Sequence, residues 1–311
     1  MTKNEFKIYS FYQFKKIINP SKLKDSLKEF CQFHKLKGTI LIAKEGINGT
    51  IGGLGSTVSI FQKELLKIGF RSLEFKLSNY PSMPFNRLKI RNKKEIITFI
   101  NKNLNVEKNT AKFVDADKWN QLIKDNKVYV IDVRNDYESK IGTFINAKKT
   151  NIKNFKDFKN YVENNLNNMK SKKIAMFCTG GIRCEKASSY MKKIGYKNLY
   201  QLKGGIIKYL QTISKEKSKW KGECFLFDNR VSVKNGMKRG SYELCHGCRM
   251  PISKKNKLSP KFEYGVSCKY CFNSLTKKKK DNLRQRNKQI FIAKKRGLYN
   301  PYIRYTPTDY L

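Results

Sequence analysis

An apolar run at residues 173–177 ends on Cys178. Five residues, Thr179, Gly180, Gly181, Ile182 and Arg183, then lead into a stretch of helical periodicity over 185–194 that stops at Gly195. A short apolar run bounded by charge reads as a strand buried on both faces of a parallel sheet. Strand, glycine-bearing loop and helix together call for an open α/β architecture, with the loop at the carboxyl end of the strand, where ligands of such sheets bind. The loop amides and the amino end of the helix turn positive dipole toward residue 178, which favours a thiolate over a thiol. Gly180 and Gly181 permit the curled backbone this needs, and Arg183 adds a fixed positive charge. An inert cysteine packed at a strand end is the plain alternative; the glycine pair, the arginine and the helix weigh together for a reactive one. Cys184 reads either as a second thiol in the chemistry of the loop or as a packed residue of the first helical turn, and the second reading is favoured.

The surrounding sequence repeats the alternation. Val128–Asp132 and Leu199–Leu202 are further apolar runs, 157–166 is amphipathic, and Gly204–Gly205 opens a helix through residue 210. Residues 121–219 therefore form an α/β domain with a doubly wound parallel sheet, reached through a polar connection at 106–120. Ahead of it, residues 1–105 read as strand 8–11, helix 23–34, strand 38–43, a glycine-rich turn EGINGTIGG, helix 56–68, and strands 73–78 and 88–90. That order is a ferredoxin-like α+β domain. The sequence AKEGINGT has a structural part in it, with Gly46 and Gly49 making the tight turn. Residues 222–275 are a small Cys-rich module. Residues 276–311 carry 11 Lys and Arg against two Asp, with a basic helix over 283–296 and an irregular tail from 300 that contains Pro301 and Pro307.

Sixty-seven Lys and Arg stand against 24 Asp and Glu, a formal charge of +43. Codon bias explains the lysines but not the shortage of acids, so a polyanion is the expected partner: nucleic acid ahead of a membrane surface. The basic and aromatic residues at 80–91 can stack on and neutralise an RNA loop, or form a solvated basic face. Lys277–Lys280 and the stretch 284–296 suit phosphates without sequence preference, a solvated tail being the alternative. The first 16 residues contain no apolar signal core, and no apolar stretch is long enough to cross a bilayer, so a cytoplasmic protein is expected. Eight cysteines in such a chain point to metal or catalysis rather than disulfides. Cys245-x2-Cys248 and Cys268-x2-Cys271, 19 residues apart, have the spacing of a four-cysteine structural zinc site, with an unmetallated or disulfide-capable cluster as the alternative. His246, inside the first pair, is a bystander; Cys31 and Cys224 are core residues. With only His34 and His246, both in different modules, a two-histidine, one-carboxylate iron site is not available. No dinucleotide fingerprint follows a strand, so no flavin or nicotinamide site names an electron donor.

Tyrosine-phosphatase-type loops place the arginine six residues after the cysteine; Arg183 comes one residue too early, and the shorter loop suits a smaller group such as a sulfur atom. CTGGIRCEKA thus resembles the active-site loop of rhodanese-like sulfurtransferases, and VYVIDVRNDYESKIGTFINA resembles their upstream segment, in which Asp132, Arg134 and Glu138 match structural polar positions. Together with AKEGINGT, GECFLFDNRVSV and the paired CxxC motifs, the chain over roughly residues 5–297 resembles the rhodanese-domain tRNA uridine hydroxylase family. The resemblance implies oxidation of the wobble uridine of tRNA to 5-hydroxyuridine with molecular oxygen, binding of the anticodon arm, and Cys178 as the active-site cysteine, of the type that carries a persulfide in rhodaneses. It also suggests that AKEGINGT faces the substrate. Lys148-Lys149-Thr150 departs from the proline usual in that family, which touches only local loop shape. A sulfurtransferase and an RNA-binding protein with a retired rhodanese domain are the other readings.

Overall fold

The computed structural model describes residues 6–73, 75–99, 104–298 and 302. They divide into two compact units, one within 1–224 plus 234–238 and one within 225–233 plus 239–311.

The first unit opens with β1 (Phe6–Phe14), α1 (Pro20–Phe33), β2 (Lys37–Ala43), β3 (Gly46–Leu54), α2 (Gly55–Lys67), β4 (Lys76–Tyr80) and β5 (Leu88–Asn92). The sheet order is β4-β1-β3-β2-β5. The first four strands pair antiparallel in the ferredoxin-like arrangement, and β5 joins β2 in parallel at the edge. Asn19 caps α1 by accepting from the amide of Lys22, with Pro20 starting the helix. Leu27 and Cys31 of α1 enter a core with Phe11, Ile40, Ile47 and Phe61. Burial pushes the Cys31 thiol up to about 12, as befits a core residue.

The glycine-rich stretch is not the expected turn. Only residues 44 and 45 turn; Gly46–Leu54 is the central strand β3. Its glycines make room for neighbours: a Cβ on Gly49 would lie 2.7 Å from the ring of Phe11.

A second sheet follows: β6 (Lys112–Val114), α3 (Ala116–Leu122), β7 (Val128–Asp132), α4 (Asp136–Ser139), β8 (Gly142–Phe144), β9 (Lys148–Lys149), α5 (Phe158–Asn165), β10 (Lys173–Phe177), α6 (Ile182–Lys193), β11 (Leu199–Leu202) and α7 (Gly205–Thr212). Its order is β6-β11-β10-β7-β9, all parallel. The stretch expected as a polar connection therefore supplies an edge strand and most of a helix; β6 was hidden by its length of three residues, and Asp115 caps α3 by accepting from the amide of Lys118. Trp119, Phe144, Phe177 and Tyr209 pack edge to face beneath the sheet. The Lys148–Lys149 departure is the edge strand β9, and the Thr150 hydroxyl beyond it contacts the carbonyls of Asp132 and Arg134.

In the second unit, Glu243–Leu244 pairs antiparallel with Pro251–Ile252, α8 (Lys254–Lys257) follows, and α9 (Lys277–Lys295) is the longest helix among the described residues. The expected basic helix thus starts six residues earlier, capped by Thr276, and takes in Lys277–Lys280. The expected tail from 300 falls, apart from Tyr302, outside the described residues.

Candidate active site and metal centre

Cys178 leaves the carboxyl end of β10, the middle strand of the parallel sheet, and has no exposed surface. Helix α6 begins at Ile182, so Arg183 stands in its first turn rather than in a loop, and Cys184 is buried in that same turn, in line with the favoured reading. Gly181 is the residue before it, at φ 103°, where a side chain would be strained. The curl brings the Gly181 amide to 3.1 Å from the Cys178 Sγ, to which it donates. The amides of Ile206 and Ile207 at the start of α7 hold the carbonyls of Cys178 and Thr179. Burial opposes an anion on Cys178. The thiol of Cys184, the charge of Arg183 and the amides of Cys184 and Gly181 outweigh it, and the pKa falls to about 5. Cys184, buried and donating to its neighbour, is pushed well above its ordinary value. One sulfur is thus an anion at neutral pH and the other a neutral donor beside it.

Arg183 does not project freely. Its guanidinium makes two bonds to Glu138, at 2.6 and 2.7 Å, and a longer one to Thr179 Oγ1. Glu138, fully buried, is held below its usual pKa because the arginine outweighs the cost of burial. Below this lies a second buried pair. Arg134 grips Asp132 at 2.9 and 2.6 Å, donates to the Gly142 carbonyl, and stacks on Trp220 at 5.1 Å. Cys224, near Arg134, is pushed up to about 12 by burial and behaves as a core residue.

The first sheet reaches this loop directly. Tyr12 of β1 donates to Glu185 of α6 at 2.5 Å, and its hydroxyl would meet a Cβ on Gly181 at 2.6 Å. Lys186, with no exposed surface, bonds both oxygens of Glu45 at 2.8 and 2.9 Å, Glu95 at 2.5 Å and the Ile97 carbonyl at 3.0 Å. Glu45 belongs to AKEGINGT, so that motif joins the two sheets. Tyr12, Glu45, Glu95 and Lys186 escaped the sequence reading; only the singled-out AKEGINGT and CEKA stretches marked two of them. In the 80–91 stretch, Phe85 packs over Gly52 instead of standing free. His34 ends α1 in contact with Phe30 and Phe33, far along the chain from His246 in the other unit.

Cys245, Cys248, Cys268 and Cys271 converge, their sulfurs all within 4.8 Å of one another. Three pairs are separated by 3.7, 3.7 and 3.9 Å. A tetrahedral ion with metal–sulfur bonds of about 2.3 Å has edges of about 3.8 Å, so the four residues fit a metal of that kind. His246 stays outside the four and faces Tyr264. No helix among the described residues is long and apolar enough to cross a membrane.

Comparison with known proteins agrees with this division. Residues 6–96 match the UPF0176 acylphosphatase-like domain and residues 115–212 the rhodanese-like domain. Proteins named tRNA uridine(34) hydroxylase are similar over almost the full length. The one from Teredinibacter turnerae is 44% identical over 295 residues, 94% of this chain and 92% of the relative. Those from Bartonella bacilliformis and Pelagibacter ubique are each 44% identical, over 94% of this chain and 97% and 96% of theirs.

Proposed function

The chain belongs to the tRNA uridine(34) hydroxylase family, and from that premise we propose that it oxidises uridine 34 of tRNA to 5-hydroxyuridine with molecular oxygen, Cys178 being the group that meets the base. The observation that carries the role of Cys178 is its anionic cradle: a sulfur at the end of β10, bonded by the Gly181 amide and held at a pKa of about 5. A thiolate in this setting is a nucleophile at neutral pH. Its Sγ adds to C6 of the uracil ring, which makes C5 nucleophilic. C5 takes one atom of the oxygen molecule, and the other leaves as water with two protons and two electrons from an external reductant. Loss of the C5 proton with departure of the thiolate restores the ring. Arg183 supplies the fixed charge and Glu138 orients it; Thr179, Gly180 and Gly181 shape the loop, and Ile182 and Cys184 the first turn of α6 that closes it. The target base leaves its stack to reach the buried sulfur, and the basic residues of α9 hold the phosphates of the anticodon arm. Cys245, Cys248, Cys268 and Cys271 hold a structural zinc ion, which contributes folding energy to a unit with a small core. The protein works in the cytoplasm with its substrate.

Nucleoside mass spectrometry tests the reading. A strain that lacks wobble-uridine hydroxylation is complemented with the wild type or with Cys178→Ala and grown with oxygen. Hydroxylated uridine is expected with the wild type alone. Equal amounts with the variant would remove Cys178 from the chemistry, and none with either would remove the hydroxylase. The compact Cys-x4-Arg loop favours a second reading, sulfane-sulfur transfer; thiolated nucleosides in the same spectra, or thiosulfate:cyanide turnover, would select it.

A further inference from the structure

The Cys-rich unit contains a cleft of about 220 Å³ that the reaction above does not use. It is smaller than the about 300–1,000 Å³ of sites for cofactors and drug-sized ligands, and suited to a single nucleoside unit. One wall is the turn from Phe262 to Gly265; Arg239, Arg249 and His246 contribute to the rest.

The charges in this cleft do not cancel. Two carboxylates line it, and both are already engaged: Glu243 by Lys257 at 2.5 Å, and Glu263 by two bonds from Arg284, at 2.7 and 2.8 Å. Arg239 and Arg249 are exposed and, among the described residues, have no carboxylate within ion-pair distance. Two guanidinium groups without acids in one small cleft match a phosphate, which takes paired N–H donors from arginine.

The aromatic component is equally specific. Tyr264 leaves 65% of its surface in water, with its ring centroid 6.3 Å from that of His246. Yet the turn that carries it is fixed. Asn287 of α9 donates to the Tyr264 carbonyl, Arg284 of the same helix holds Glu263, and Glu263 and Ser267 exchange backbone bonds at 3.1 and 3.0 Å. A rigidly presented ring loses little freedom when something stacks on it. Flat rings beside unpaired guanidinium groups are the means by which proteins hold single-stranded nucleotides. An acidic peptide would use the arginines but leave the ring without a role.

We propose that this cleft is a second RNA subsite, which holds one unpaired nucleotide of the tRNA other than the target uridine, its base against Tyr264 and its phosphate on Arg239 and Arg249. The proposal takes the identity of the polymer from the function proposed above; the pocket chemistry is independent of it.

The test uses the full-length, metal-loaded chain and an unmodified tRNA transcript, with equilibrium binding measured across salt concentrations and the metal content of each variant checked against the wild type. Tyr264→Ala is expected to weaken binding about tenfold through the lost stacking. Arg239→Gln with Arg249→Gln is expected to flatten the slope of log affinity against log salt by about 0.7, the share of the one phosphate the two arginines hold together. Tyr270→Ala, an exposed ring of the same unit that does not line the cleft, is expected to bind as the wild type does. In hydroxylation assays Tyr264→Ala is expected to raise KM about as much as it weakens binding and to leave kcat unchanged. Unchanged affinity in Tyr264→Ala overturns the proposal, and so does an equal loss in Tyr270→Ala, which would mean a diffuse basic surface. Saturation of the cleft by uridine monophosphate with no effect of the substitutions on tRNA would assign it to a free nucleotide, also against the proposal. If the wild type fails to hydroxylate tRNA while Tyr264→Ala still weakens tRNA binding, the hydroxylase reading falls and the subsite stands.

Discussion

Replacing Cys184 by alanine tests the electrostatics of the loop without touching Cys178 itself. The Cys184 thiol is the strongest influence that stabilises the Cys178 anion, ahead of Arg183 and the loop amides. A hydrogen bond to a charged group is worth about 1.5–3 kcal/mol, and about 1.4 kcal/mol moves a pKa by one. Cys184→Ala therefore carries the Cys178 midpoint from about 5 to between about 6 and 7. Thiolate absorbance at 240 nm, followed from pH 4 to 9, reads this without needing access to a buried sulfur. Each protein is measured against its partner lacking Cys178, so that the sulfurs of the Cys-rich unit cancel. Cys31 and Cys224, each near 12, stay silent in this window. Cys184→Ser, which keeps a donor, should restore a midpoint near that of the wild type. A midpoint unmoved in Cys184→Ala would refute the assignment of Cys184 as donor, and a wild-type midpoint near the ordinary thiol value of about 8.5 would refute the cradle as a whole.

The same thiolate should leave a mark on stability. The folded pKa of Cys178, about 5, lies below that of an unfolded thiol, about 8.5, so the unfolded chain binds more protons between them. Relative to Cys178→Ala, the wild type should gain about 1.4 kcal/mol per pH unit from pH 5 to 8.5 and nothing beyond, and lose that stabilisation as the pH falls through 5; urea unfolding at several pH values measures it, and a flat difference would contradict it. Glu138→Gln leaves the Arg183 guanidinium buried without its carboxylate and should cost about 3–5 kcal/mol in the same assay. A strong chelator should release about one metal ion per chain and abolish the near-ultraviolet circular dichroism of the Cys-rich unit, while the Cys178 absorbance titration stays unchanged, since the four sulfurs belong to one tetrahedral set.

How far the chain could be read from its residues depended on whether the signal was local. Val128–Asp132, Lys173–Phe177 and Leu199–Leu202 were legible as strands because each is a short, mostly apolar and mostly buried run. The four zinc-type cysteines were legible by spacing. The start of α6 was not, because Gly181 precedes it with a positive φ and no side-chain cap, and the first turn then reads as loop. Strand β3 looked like a turn because its glycines serve close approach by Phe11 rather than chain reversal. Lys186 could not be singled out locally, since its partners Glu45 and Glu95 lie about 90 residues or more away along the chain. Tyr12 carries no local mark at all; its proximity to Gly181 exists only once the two sheets are together.

Lys186 has a bearing on how such a chain can be recombined. The rhodanese-like domain carries an ammonium group whose counter-charges among the described residues, Glu45 and Glu95, are encoded in the preceding domain. A rhodanese domain excised downstream of residue 104 would open that lysine to water in place of two carboxylates and expose the apolar surface around it. Grafting it behind a foreign partner would bury a bare cation. Gene fusions, truncations and chimaeras that respect the visible domain boundary therefore cut through a single electrostatic unit. The two halves should be inherited, expressed and engineered as one piece, with residues 45, 95 and 186 exchanged together or not at all.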